Sequence, residues 1–187
     1  MSLFKITLAA FFCITLGLKS SYSQIVNEPE FIGESIMLVT DSSYISLDKE
    51  IGDFTSGISW SANSFDALTL EVRGNKASSR VLSSIPIRLI VRAADNNSDP
   101  LSIVRIYKLK VKSKKRSVLI SENNTGTLMK SRTNSKDDVR FSGKKYGENS
   151  YLLTLPALPI GEYGIIVSNP NSKDEKRVVV SCFGVDK

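Results

Sequence analysis

A run of basic residues is the feature of this sequence best suited to binding chemistry. Seven cations lie between positions 105 and 116 with no acidic residue among them. Lys108, Lys110 and Lys112 alternate with apolar residues, so a β-strand would place the three amines on one face, about 7 Å apart. A repeating polyanion, such as a sulfated or acidic polysaccharide, matches such a row. The binding residues on this interpretation are Lys108, Lys110, Lys112, Lys114, Lys115 and Arg116.

The same run has a second, structural interpretation. Lysines on an edge strand oppose pairing with other chains and so prevent aggregation. The row would then be a solvated edge without a ligand. Nucleic acid is not an expected partner on either interpretation, because no aromatic residues are interleaved on the lysine-bearing face.

The residue types exclude most catalytic and metal chemistry. The 187-residue chain has no His and two Cys, so it lacks the residues for a Ser-His-Asp or Cys-His pair, a His-ligated metal or a Cys-based zinc site. Asp95, Asn97 and Asp99 have the spacing of a calcium loop, but Pro100 stands where that loop needs Gly, and an Asx-rich turn fits better. We therefore predict a non-catalytic protein without a metal or cofactor.

The N-terminal residues 1–23 have the pattern of a signal peptide. Lys5 precedes an apolar run, Ile6–Leu18, of 13 residues, whereas a membrane-spanning helix needs about 20. Ser21 and Ser23 are small residues at the positions that a signal peptidase reads before Gln24. We predict export, to the periplasm, cell surface or medium, and a mature chain 24–187 without a transmembrane segment. The alternative is an uncleaved anchor.

The cysteines predict no internal disulfide. Cys13 lies within the apolar run of the signal peptide, so the mature chain retains only Cys182. Cys182 stands in an apolar run that is typical of a buried strand, and a buried thiol is the expected role. An intermolecular disulfide is the alternative.

The mature chain shows the period-two alternation of β-strands. Leu68 to Arg73, Ile87 to Ala93 and Tyr107 to Lys112 alternate apolar and polar residues. Turn-forming residues separate further β-rich runs, which are Phe31–Thr40, Tyr44–Leu47, Ser117–Ser121, Val139–Ser142, Tyr151–Leu155, Tyr163–Ser168 and Arg177–Val185. We predict one all-β domain over 24–187, an antiparallel two-sheet sandwich. Ser121–Asp138 is expected to form a long hairpin or inter-sheet loop. The sequence leaves the structure of residues 48–66 open, with a short helix there as one alternative.

One local pattern favours an immunoglobulin-like C-terminal half. Leu158, Gly161 and Tyr163, with Pro159 between them, resemble the tyrosine corner of Greek-key sandwiches. In that corner the tyrosine hydroxyl bonds back to the chain a few residues upstream.

Short motifs along the mature chain resemble those of uncharacterised secreted β-sandwich proteins of Bacteroidetes. The motifs are Glu30–Glu34, Lys144–Glu148, Gly161–Gly164 and Cys182–Asp186. This resemblance implies a secreted β-domain and no particular activity. The stretch Leu158–Val180 is also similar to the C-terminal sorting domains of the type IX secretion route, although the additional Ser181–Lys187 departs from that pattern.

The charge distribution leaves two interpretations open. Residues 24–104 hold 6 basic and 11 acidic residues, and residues 105–187 hold 17 and 8. Either acidic early strands face basic later ones within one domain, or the surface is bipolar and suited to a partner. We expect a binding or envelope-structural module whose partner is an acidic glycan or envelope component. The alternative is a sorting module that docks on export machinery. The sequence does not predict an oligomeric state.

Overall fold

The structure is a computed structural model that describes residues 26–58, 65–124, 135–174 and 176–187. The predicted signal peptide and most of the polar stretch Ser121–Asp138 lie outside these residues. The described chain is almost entirely β-structure, arranged as two sheets packed face to face.

The first sheet is open, antiparallel and five-stranded, in the order β2-β1-β6-β10-β9. Its strands are β1 (Ser35–Leu38), β2 (Tyr44–Ser46), β6 (Ile87–Arg92), β9 (Ser142–Tyr146) and β10 (Ser150–Leu155). β6 lies at the centre because Leu89, Ile90 and Val91 are apolar on both faces of the sheet, and all three are fully buried.

The second sheet closes on itself. Its barrel strands are β3 (Asp48–Ile58), β4 (Phe65–Arg73), β7 (Val104–Val111), β8 (Lys115–Asn124), β11 (Gly161–Val167) and β12 (Arg177–Asp186). They follow the order β11-β7-β8-β4-β3-β12, and the pairing of β11 with β12 completes a six-stranded barrel. A short strand, β5 (Arg80–Leu82), pairs in parallel with the end of β12. The prediction of two β-sheets is therefore confirmed. The closure of one sheet into a barrel and the parallel pairing of β5 with β12 were not predicted.

The alternation of β7 shows how one strand serves two cores. Val104 and Ile106 face the open sheet, where they join a buried cluster with Leu89, Val91 and other residues. Tyr107 and Leu109 face the barrel interior. Fully burying such a side chain contributes about 1.5–3 kcal/mol, so this strand fixes the two sheets against each other.

Gly52 in β3 leaves space for side chains from its two neighbouring strands. A Cβ atom on Gly52 would lie 2.7 Å from the Leu70 side chain and 2.7 Å from that of Val180. Glycine therefore permits these two side chains to pack over β3 inside the barrel. The sequence left the structure of residues 48–66 open. Residues 48–58 form β3, and residues 59–64 lie outside the described chain.

The one helix of the described chain is short. α1 (Pro100–Ile103) begins after Asp99, whose carboxylate accepts a hydrogen bond from the Leu101 amide at 2.8 Å. The Asp95 carboxylate accepts one from the Asn97 amide at 2.8 Å, which confirms the predicted Asx turn. The described residues contain no helix long and apolar enough to cross a membrane.

Candidate functional site

The basic run forms a hairpin at one end of the barrel. β7 and β8 are joined by a tight turn in which the Lys112 amide donates to the Lys115 carbonyl at 2.7 Å. Lys110, Lys112 and Lys114 are exposed, and Lys108 is half-buried. We call the end of the barrel where this turn lies the hairpin end.

The predicted alternation holds for most of β7. Tyr107 and Leu109 are buried, as expected for the side opposite the lysines. The alternation also assigns Val111 to the core, together with Tyr107 and Leu109, but Val111 is 54% exposed, so this part of the prediction is wrong. The reason is that β7 ends at Val111, where the strand has passed the last apolar layer of the barrel.

Arg116 does not belong to the surface predicted for it. Its side chain has no exposed area, because it points into the barrel. The Nη1 atom lies 3.4 Å from the Oε2 atom of Glu162, and Nη2 lies 3.9 Å from Oε1 of Glu50. Its Nε and Nη2 atoms also donate to the carbonyls of Gly74 and Arg73, at 3.2 and 3.1 Å. Arg116 is a structural residue, inaccessible to an external polyanion.

Glu162 links Arg116 to a second cation. Its Oε1 atom accepts a hydrogen bond from Arg80, and its Oε2 atom accepts one from the Ala77 amide at 2.7 Å. Arg80 also binds Asp186, and hydrogen bonding to that carboxylate is the largest of the effects that raise the pKa of the guanidinium. These ion pairs and the buried Ala77 together close the barrel at the hairpin end.

Lys115 is half-buried and already has a partner. Its Nζ atom lies 2.5 Å from the Glu71 Oε1 atom, on the neighbouring strand β4. Together with the Arg116–Glu50 and Arg177–Asp53 pairs, this contact joins acidic residues before position 105 to basic residues after it. The charge asymmetry of the sequence is thus partly satisfied within the domain.

Two further cations reach the hairpin end from a distant part of the chain. Arg73 ends β4, where it pairs with Lys115, and the Gly74 amide donates to the Lys114 carbonyl at 3.0 Å. Arg73 and Lys76 are both exposed. No local sequence pattern marks these two residues, because only the pairing of β4 with β8 brings them to the hairpin.

The exposed basic surface at the hairpin end has fewer residues than the predicted binding surface, and its residues are partly different. We define the basic cluster as the exposed cations at the hairpin end that form no ion pair with a described residue. Its members are Arg73, Lys76, Lys110, Lys112 and Lys114.

The hydrogen bond expected at the tyrosine corner is present. The Tyr163 hydroxyl donates to the Pro159 carbonyl at 2.6 Å. Leu158 is buried beside it, and the Tyr163 ring stacks on Phe183 with centroids 5.3 Å apart. A Cβ atom on Gly161 would lie 2.8 Å from the Cε atom of Lys108, so glycine leaves room for that lysine.

No known protein family matches this chain, and no curated protein matches it.

Beyond the basic cluster, the described chain has a groove but no group of metal ligands. A groove of about 800 Å³ lies around the ends of β11 and β12 opposite the hairpin end, and it is lined by residues that include Phe54, Val179 and Arg177. Arg177 lies 3.7 Å from Asp53, which leaves it partly neutralised. In the described part of the chain, no three His, Cys, Asp or Glu side chains are grouped so that they could hold a metal ion.

Proposed function

We propose that this protein is an exported, non-catalytic binding module that contacts a polyanionic surface or glycan through the basic cluster. The observation that supports this role is the charge balance at the hairpin end. Five exposed cations gather there from two segments of the chain, and none of them forms an ion pair with a described residue. Unpaired charges of one sign raise the local concentration of oppositely charged partners.

The fold supports a passive binding role for this end of the barrel. The buried Arg116–Glu162 pair joins β8 to β11, and Arg80 joins Glu162 to β5, at the base of the hairpin. The cations of the basic cluster therefore project from a fixed framework, which reduces the entropy lost on binding. The Tyr163 corner hydrogen bond is the feature that supports an immunoglobulin-like relationship for the C-terminal half.

The test compares binding to a heparin column, a sulfated polysaccharide, for two matched variants. The first changes Lys110, Lys112 and Lys114 to Gln. The second changes Lys144, Lys145 and Lys173 to Gln, which removes the same charge from exposed positions away from the hairpin end. Each surface contact contributes about 0–1 kcal/mol, so we expect the first variant to elute at clearly lower salt and the second to elute near the wild type.

Equal elution of both variants would contradict a specific role for the basic cluster. It would mean that retention reflects net charge alone. The lysines would then serve as a solvated edge that opposes aggregation.

Export is tested separately, by measuring the intact mass of the secreted protein. Cleavage before Gln24 is the expected result.

Truncation of residues 158–187 cannot test the sorting hypothesis. Residues 158–187 contribute β11 and β12, two of the six barrel strands. Val180, Cys182, Phe183 and Val185 in β12 are fully buried. Deleting this segment would disrupt the barrel, so loss of secretion would not identify a sorting signal.

A further inference from the structure

Exposed apolar side chains lie at strand ends near the basic cluster. Leu82, Val111 and Ile160 are 56%, 54% and 54% exposed. Leu82 pairs with Asp186 at the end of β12, and Val111 is the last residue of β7. These residues therefore lie on strand ends, beyond the ion pairs that close the barrel.

The strand register places Val111 and Ile160 near each other. Leu109 pairs with Glu162 between β7 and β11. Val111 follows Leu109 by two residues, and Ile160 precedes Glu162 by two. Because the strands are antiparallel, both residues extend beyond that pair toward the hairpin end.

The connection between the barrel and the open sheet carries a further exposed apolar side chain. β6 begins at Ile87, five residues after Leu82, and its neighbour β1 ends beside it with Leu38 paired to Arg88. Ten large apolar side chains of the described chain are exposed, and Ile85, in the connection between β5 and β6, is one of them. We call Leu82, Ile85, Val111 and Ile160 the apolar rim.

Three carboxylates at the same end form ion pairs, and a fourth, that of Asp48, accepts hydrogen bonds from Ser78 and Ser79. Asp41 binds Arg88 at 2.6 Å. Glu71 binds Lys115, and Asp186 binds Arg80. The cations of the basic cluster thus lie next to the apolar rim without forming an ion pair with a described residue, although Lys76 is close enough to Asp186 to lower the pKa of that carboxyl.

We infer that the hairpin end docks on an anionic lipid surface. This inference rests on the proposed function and names the polyanion as a layer of lipid phosphates. A soluble acidic polysaccharide would neutralise the basic cluster but would leave the apolar rim in water. An anionic membrane offers phosphates to the cations and the acyl boundary to the rim, which is the combination that interfacial proteins use.

Co-sedimentation with vesicles tests the inference on the mature chain, residues 24–187. Vesicles of phosphatidylglycerol are compared with vesicles of phosphatidylcholine. The rim variant changes Leu82, Val111 and Ile160 to Ser. The control variant changes Phe31, Ile51 and Val179 to Ser, since these three are also exposed but lie elsewhere on the surface.

We expect the wild type to bind phosphatidylglycerol vesicles and not phosphatidylcholine vesicles. The rim variant should bind at least tenfold more weakly while keeping its retention on the heparin column, and the control variant should bind as the wild type does. If the triple rim variant does not fold, Val111→Thr, which nearly preserves shape, should still weaken vesicle binding severalfold.

The vesicle experiment and the heparin experiment together separate failure of the lipid inference from failure of the proposed function. Unchanged vesicle binding by the rim variants would overturn the lipid inference. The lipid inference would also be overturned if the wild type did not bind phosphatidylglycerol vesicles while its elution from heparin still depended on the basic cluster. That result would point to a soluble polyanion or an acidic protein as the partner. Heparin elution that does not depend on Lys110, Lys112 and Lys114 would instead overturn the proposed function itself.

Discussion

The guanidinium of Arg116 lies inside the barrel with its Nη1 atom 3.4 Å from the Oε2 atom of Glu162. Its side chain has no exposed area, and Glu162 is only 5% exposed. Replacing Arg116 by Met would keep a long side chain inside the barrel but remove the guanidinium that pairs with the buried Glu162 carboxylate. We expect Arg116→Met to lower the free energy of unfolding by about 3–5 kcal/mol, measured by urea denaturation.

Lys110→Met is the control for this prediction. Lys110 lies on the neighbouring strand of the same hairpin, but it is exposed and forms no ion pair with a described residue. Its replacement should change stability by no more than about 0.5 kcal/mol. A similar midpoint for both variants would show that Arg116 is not buried as described.

Arg116 also shows where sequence-based prediction reaches its limit. Period-two alternation is local, so it correctly assigned Tyr107 and Leu109 to the core. The burial of Arg116 depends on Glu162, which is 46 residues away and reaches it only when β11 pairs with β7. The alternation could not indicate this contact, because it gives the face of a residue but not whether the sheet closes around that face.

The barrel closure was missed for the same reason. Individual strands such as β7 and β12 were predicted from their own residues, whereas the β11–β12 pairing that completes the barrel is a property of the whole sheet. The Tyr163–Pro159 hydrogen bond could be predicted because its partners are four residues apart. Arg73 and Lys76 were not predicted as part of the basic surface, since their place depends on the β4–β8 pairing.

The Tyr163 hydroxyl gives a second prediction about stability. Tyr163 is 1% exposed, and its hydroxyl donates to the Pro159 carbonyl at 2.6 Å. Tyr163→Phe keeps the ring that stacks on Phe183 and leaves the carbonyl without this donor. We expect a loss of about 1–2 kcal/mol in denaturant melts. Tyr44→Phe, at a side chain that is 50% exposed, should have the same midpoint as the wild type.

The contacts of the Glu28 carboxylate predict a contribution to the free energy of unfolding that is lost in acid. Its carboxylate accepts hydrogen bonds from the Ser150 hydroxyl at 2.6 Å and the Glu148 amide at 2.7 Å, and it pairs with Arg92 at 3.1 Å. Burial alone would raise the pKa of this carboxyl, but these donors and the Asn149 amide outweigh burial, so the pKa lies below its ordinary value.

A lowered pKa in the folded state fixes the sign of the pH dependence. The contribution of Glu28 is complete above the pKa of the unfolded chain and is lost as the pH falls through the lower pKa of the folded state. Glu28→Gln should therefore cost about 2 kcal/mol at pH 7, and this cost should shrink progressively below about pH 4.5. Glu148→Gln, at an exposed side chain in the turn that Glu28 binds, is the control. A cost for Glu28→Gln that does not change with pH would contradict the carboxylate's role.

Cys182 gives the last prediction, which concerns its reactivity. The side chain is fully buried, and burial raises the pKa of the thiol to about 12. The thiolate is the form that reacts with alkylating agents, and little of it exists at pH 8. We therefore expect iodoacetamide to modify Cys182 at least about 100-fold more slowly in the native protein than in urea, as measured by peptide mass spectrometry. The residual native rate should rise in Arg116→Met, because a less stable barrel opens more often. Rapid native labelling, or a disulfide-linked dimer through Cys182 on a non-reducing gel, would contradict the buried position of this residue in β12.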